Sequence, residues 1–189
     1  MPTVLTVCTG NICRSPAAAV LLQQHLGEHA TVLGAGVTAM VGWDIDPPMR
    51  GLLESDGVEV HRHAGQQLTP TLLSDADLVV AMTSAHRRAA VELDPTAAPR
   101  IFLLRQLEAA ARAGVALQGS DLESRLECLP EAMSGAKTVN WDAGDLDVPD
   151  PYGRPRHEYE ENYRSIREST LTVAAWLMGR SRAEPHHAD

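Results

Sequence analysis

The sequence predicts an α/β fold, a three-layer sandwich with a central four-stranded parallel sheet and helices on both faces. Four short apolar runs of strand length, Thr3 to Val7, Val32 to Val37, Asp77 to Met82 and Arg100 to Leu104, are the first observation. The second is that helical patterns alternate with them, an order that yields parallel pairing through crossover connections. The third is that DLVVAM and RIFLL are continuously apolar, as in strands covered on both faces.

The first strand runs into Cys8-Thr9-Gly10-Asn11, a tight loop. Ser15 and Pro16 then read as N-cap and first helical residue, and Ala18, Leu21, Leu22, His25 and Leu26 recur at helical spacing before Gly27 ends the helix. After the second strand, Pro48 to Ser55 reads as a helix ending at Asp56 and Gly57. Thr69 and Pro70 repeat the cap signal for a short helix, and Ser84 to Leu93 forms another between the third and fourth strands. Residues 105–138 are rich in Ala, Glu, Arg and Leu and read as two helical pieces broken at Gly114 to Ser120, with no chemical motif. Asn140 to Gly153 is an acidic loop, and Glu158 to Met178 an amphipathic closing helix containing Tyr159, Tyr163 and Ile166. Residues 1–179 are expected to form one domain and 180–189 a disordered tail, with His186 and His187 solvated.

Composition narrows the function. The chain has 189 residues at 44% hydrophobic content, enough for one substantial core. Sixteen Lys and Arg against 25 Asp and Glu give a net charge of −9, the wrong sign for a general nucleic-acid or anionic-membrane binder, so any phosphate affinity must be local. No charge-free stretch reaches the ~18 to 20 residues that span a bilayer. Three cysteines and no basic leader segment suit a reducing compartment, and the cytoplasm is the expected location.

The chemistry concentrates in Cys8, Thr9, Gly10, Asn11, Ile12, Cys13, Arg14 and Ser15, between a strand end and a helix start. The spacing lets the chain curl round a tetrahedral anion: amides of the loop and helix N-terminus point inward, and the planar fork of Arg14 can hold two oxygens. Gly10 offers backbone freedom, and Asn11 tolerates a left-handed conformation. Helix N-termini and guanidinium groups favour thiolates, which makes Cys8 the candidate nucleophile for an electrophilic phosphorus. A zinc site does not fit, because Cys8 and Cys13 have no partner pair at ligand spacing. No metal or cofactor is implied.

VCTGNICRSP resembles the signature loop of the low-molecular-weight protein tyrosine phosphatases. The resemblance implies a phosphotyrosine phosphatase that works through a phosphocysteine on Cys8, with Arg14 gripping the phosphate, Asn11 stabilising the loop and Ser15 assisting the thiolate. It also implies that Cys13 can form a reversible disulfide with Cys8 on oxidation. Asp150 in Val148-Pro149-Asp150-Pro151-Tyr152-Gly153 resembles the family's general acid, with Asp142, Asp145 and Asp147 read as solvated loop charges and Tyr152 as a wall of the aromatic slot. Ala39 to Pro47 resembles the family's second pocket loop, with Met40 standing where many members carry an aromatic before Val-Gly; Trp43 is either a wall in partial replacement of it or simple packing. His63 resembles the histidine that braces the loop asparagine. The resemblance covers residues 3 to 104 and 139 to 179, and the longer 105–138 segment is expected to bear on partner contact.

Three rival functions follow from the same residues. An arsenate reductase would need two further cysteines close in sequence, and only Cys128 remains beyond the loop. In the protein-arginine phosphatase branch the residue before the second loop cysteine is threonine; here it is Ile12, which suits a phenyl ring. A non-catalytic binding module would need Arg14 and the amides but neither Cys8 nor Asp150. The expected partner is therefore a phosphotyrosine-containing protein, with no nucleic acid and no membrane insertion.

Overall fold

The computed structural model describes residues 1–136, 139 and 146–180; Asp142, Asp145 and the tail residues His186 and His187 lie outside the described residues. Strands β1 (Thr3–Cys8), β2 (Thr31–Gly36), β3 (Leu78–Ala81) and β4 (Ile101–Leu103) form one sheet in the order β2-β1-β3-β4. All three pairings are parallel, with Cys8 opposite Gly36 and Val7 opposite Ala81. Strand order reverses at β1, where β2 lies on one side and β3 on the other. Parallel α/β sheets bind their ligands beyond the strands' carboxyl ends at such a switch point, and Cys8 ends this strand.

The helices are α1 (Arg14–Leu26), α2 (Pro47–Ser55), α3 (Pro70–Ser74), α4 (Ser84–Leu93), α5 (Leu104–Arg112), α6 (Leu122–Gly135) and α7 (Arg156–Leu177). Successive strand residues face opposite sides of the sheet. Val4, Leu78 and Val80 join a core with residues of α1, α2, α5, α6 and α7, while Leu5, Val7, Val79, Ala81 and Ile101 join a second core with Leu73 of α3 and Ala90 of α4. Both faces are thus covered, which accounts for strands without polar alternation. No described helix is long and apolar enough to cross a membrane.

Several boundaries move from those expected, and each move has a physical cause. Helix α1 begins at Arg14, with Cys13 at its N-cap position, because the Ser15 hydroxyl is buried and bonded inside the loop instead of capping. Leu104 leaves the fourth strand to start α5, whose opening is closed by Gln106 Oε1 accepting from Leu103 N at 3.3 Å. Thr69 does cap α3, its side chain accepting from Leu72 N. The segment after β4 is helical and built into the core: Leu122, Leu126, Leu129 and Met133 of α6 are buried. Glu123, Leu126, Glu127 and Pro130 line a cavity with Pro2, Asp77 and Arg100, which places α6 at the strands' amino ends, away from Cys8.

Candidate active site

The loop joining β1 to α1 is held open from outside. Val37, Thr38, Met40 and Asp46 donate their backbone N–H groups to the carbonyls of Cys8, Thr9, Gly10 and Ile12 at 2.8 to 3.0 Å, and His63 Nε2 donates to the carbonyl of Asn11 at 2.7 Å. Five consecutive carbonyls are therefore turned toward neighbouring segments. In a trans peptide unit the next residue's N–H points the opposite way, so the amides of Thr9 to Cys13 face the inside of the loop. A concave set of N–H groups followed by a helix N-terminus is an anion site.

Asn11 carries the turn. Its φ is 55°, and it is the sole non-glycine residue with positive φ among those described. The buried Asn11 amide accepts from Gln66 N at 3.0 Å and donates to Ser15 Oγ at 2.9 Å. Gly10, in contrast, does not use the freedom expected of it: its φ is not positive, and a Cβ there would meet only Ile12 and Met40 at 3.5 and 3.6 Å. The glycine that the loop requires is Gly36 on β2, where a Cβ would lie 2.5 Å from the Thr9 carbonyl oxygen and 3.0 Å from Asn11 N.

Cys8 is 2% exposed, and its Sγ lies 2.9 Å from Ser15 Oγ. Because Asn11 Nδ2 already donates to that oxygen, the Ser15 proton is directed either to the sulfur or to the more distant Ala35 carbonyl at 3.4 Å. Arg14 is buried and reaches three partners: NH1 donates to Val148 O at 3.2 Å, and NH2 to Thr9 Oγ1 at 3.3 Å and to Asp150 Oδ2 at 2.6 Å. Its Nε is buried with no hydrogen-bond partner among the described residues, a donor suited to an oxyanion. The structure thus brings Cys8, Arg14 and Asp150 together from β1, α1 and the loop before α7. Asp150 is half exposed, and its Oδ1 accepts from Tyr152 N at 3.2 Å.

Cys13 is buried beneath the loop. Burial, with the charges of Asp46 and Cys8 adding to it, pushes this thiol far above its ordinary range. Ile12 is also covered, packed beside Gly10, so it presents less surface to a phenyl ring than expected. Val41, Trp43 and Tyr152 are exposed apolar side chains on the two loops that bond to the Cys8 loop and to Arg14, and Met40 is half-buried. Trp43 is 58% exposed, which does not suit simple packing.

Asp147 is not a free loop charge: its carboxylate accepts from Ser84 N at 2.6 Å and Ser84 Oγ at 3.2 Å, tying the acidic loop to the start of α4. Sequence reasoning also missed His86. Thr83 Oγ1 accepts from His86 N at 3.2 Å and lies 2.8 Å from Nδ1. His86 Nε2 lies within hydrogen-bond distance of Thr9 Oγ1, at 2.9 Å. Arg14 NH2 donates to the same oxygen, so Thr9 links His86 to Arg14. Burial, reinforced by the Arg14 charge, pushes His86 down to about 4 and keeps the ring neutral. The signal was present as Thr83 three residues before His86, the spacing of an N-cap and its N3 partner.

A parallel α/β sandwich that places a cysteine and an arginine in one strand-to-helix loop, with a carboxylic acid opposite, has the architecture of a cysteine-dependent phosphatase. The family described as low molecular weight phosphotyrosine protein phosphatase matches residues 3–118, and the chain belongs to that family. The chain is 38% identical over 106 residues to the probable low molecular weight protein-tyrosine-phosphatase EpsP of Ralstonia nicotianae, covering 56% of this chain and 72% of that protein. Among solved structures, the YwlE arginine phosphatase from Geobacillus stearothermophilus superposes with a TM-score of 0.72 at 28% identity, covering 100% of both chains. Vibrio vulnificus Wzb in complex with benzylphosphonate gives 0.69 at 26% identity, covering 92% of this chain and 97% of that one. The family match ends at residue 118, before Asp150, whereas the structural likeness spans both loops.

Proposed function

We propose that this enzyme hydrolyses phosphotyrosine in proteins, with Cys8, Arg14 and Asp150 as its catalytic residues. The observation that carries the reading is the row of carbonyls turned outward from Cys8 to Ile12, which leaves the amides and Arg14 facing the Cys8 side of the loop. The Cys8 thiolate attacks phosphorus; the S–P bond forms as the P–O bond to the phenol breaks. Amides of the loop and the Arg14 fork hold the equatorial oxygens, whose charge is spread in the transition state. A phosphate dianion and the Asp150 carboxyl group compete for one guanidinium. As the general acid, Asp150 gives a proton to the leaving oxygen, then accepts one from the water that attacks the phosphocysteine, releasing phosphate and restoring the thiolate. Thr9, Asn11 and Ser15, braced by His63, keep the loop shaped for these steps.

Phosphotyrosine is favoured over phosphoarginine by the exposed rings of Trp43 and Tyr152, which can offer flat surfaces to an aromatic substrate. A relative's complex with benzylphosphonate agrees with this choice. Arsenate reduction is disfavoured, since Cys128 lies on α6, at the far end of the sheet from Cys8. Residues 1–179 act as one catalytic unit in the cytoplasm, and partner contact through residues 105–138 would leave the site open. Matched phosphotyrosine and phosphoarginine peptides test the substrate: the first should turn over about tenfold faster or more. Faster release of phosphate from the arginine peptide would overturn the assignment.

A further inference from the structure

Helix α7 connects the two sides of the site through one side chain that the mechanism above does not use. Tyr159 is buried, and its hydroxyl donates to Asp46 Oδ2 at 2.7 Å and accepts from Gly153 N at 3.3 Å. Asp46 in turn donates its backbone N–H to the Ile12 carbonyl at 2.8 Å. A continuous chain of three hydrogen bonds therefore runs from the loop of the acid, through Tyr159 and Asp46, to the outward face of the phosphate loop. One helical turn on, Asn162 Nδ2 donates to the Pro149 carbonyl at 2.7 Å, so the segment carrying Asp150 is held on both of its flanks by α7.

We propose that Tyr159 is a positioning residue for acid catalysis: it fixes the Asp150 loop relative to the Cys8 loop through Asp46. The reading rests on Asp150 as the general acid. Two features distinguish this tyrosine from ordinary core packing. Its hydroxyl is the sole link between Gly153 and Asp46 in this chain of bonds, and both partners belong to loops that border the site. A phenylalanine would fill the same space and break that link, which leaves a half-buried carboxylate oxygen and a backbone N–H without this partner. Proton donation needs the acid within hydrogen-bond reach of the leaving oxygen, so a loosened loop costs rate where the leaving group needs the proton.

The test is a leaving-group series of aryl phosphates with wild type, Tyr159→Phe, Asp150→Asn and the double variant. Tyr159→Phe should slow phenyl phosphate roughly tenfold, the size of one hydrogen bond's net contribution, and show its smallest loss with dinitrophenyl phosphate. In the Asp150→Asn background it should add little further loss, because it acts through that acid. Asp46→Asn, which weakens the chain from its other end, should reproduce the pattern and stands in if Tyr159→Phe does not fold. Equal losses of the Tyr159 variant across the series, or full additivity with Asp150→Asn, would overturn the positioning role. If Asp150→Asn itself loses equally on every ester, it is the assignment of the acid that fails.

Discussion

Arg14 NH2 lies 2.6 Å from Asp150 Oδ2, so the group proposed to grip phosphate is held by the group proposed to protonate the leaving oxygen. The two residues are 136 positions apart and meet because α1 begins at the carboxyl end of β1 while Val148 N donates to the Met82 carbonyl at the end of β3. The carboxylate is a competitor for the phosphate that it later serves.

Removing that competition has two opposite effects. Asp150→Asn should lose roughly 10²- to 10⁴-fold in rate with poor leaving groups and less with activated esters. The same variant should bind inorganic phosphate about 2- to 5-fold more tightly, the range expected for one partly exposed ion pair. Calorimetric titration with phosphate beside steady-state kinetics checks both, and weaker phosphate binding by the variant would show that Asp150 does not compete for Arg14.

His86 sets a pH dependence of stability. An ordinary histidine takes up a proton near pH 6.5, whereas folded His86 does so at about 4. Between those values the unfolded chain binds more protons, so stability falls as pH drops through that window and levels off below it. The contribution present at neutral pH and lost at pH 4 is about 3 kcal/mol. Urea unfolding of wild type and His86→Gln at about pH 4 and pH 7 should show a smaller pH effect in the variant by roughly that amount. Identical pH effects would mean that His86 is not buried as a neutral ring.

Gly36→Ala tests whether the β2 end shapes the phosphate loop. A Cβ there lies 2.5 Å from the Thr9 carbonyl oxygen, which belongs to backbone and cannot swing aside. The expected cost is about 1 to 3 kcal/mol of stability and a weakened affinity for phosphate. Gly10→Ala, whose Cβ would make ordinary contacts, should be tolerated far better. Equal effects of the two substitutions on thermal melting and phosphate binding would refute this contrast.

The strand, loop and helix around Cys8 were legible in the sequence because their signals are local: a β-branched run, a turn-forming Gly-Asn, a proline inside the first helical turn. Asp150 was legible through the proline that follows it. What sequence reading missed depends on contacts between residues far apart. Gly36 matters because it passes under Thr9, Asp147 because it meets Ser84, and Tyr159 because it reaches Asp46 across 113 positions. Ser15 was misread as a cap because a serine before a proline carries that local signal, and only the folded loop shows its hydroxyl turned to Cys8 and Asn11.

Cys13 is the second thiol of the loop, and its role under oxidation can be separated from packing. Burial and the nearby charges disfavour its thiolate, so any disulfide with Cys8 should form slowly at neutral pH and faster in alkali. After a peroxide dose, a dithiol should restore wild-type turnover, while Cys13→Ser should recover less because over-oxidised Cys8 is not rescued. Equal recovery in the two proteins would leave Cys13 as packing beneath the loop.

The role of Cys8 as the phosphorus nucleophile is tested most directly by aryl phosphate hydrolysis with wild type beside Cys8→Ser, each titrated with phosphate in parallel. Wild type should turn over and pass through a phosphorylated Cys8 that acid quenching and mass spectrometry can trap. Cys8→Ser should bind phosphate yet show no turnover, since a serine hydroxyl at this site lacks the activated thiolate. Substantial turnover by Cys8→Ser would contradict the assignment of Cys8 as nucleophile.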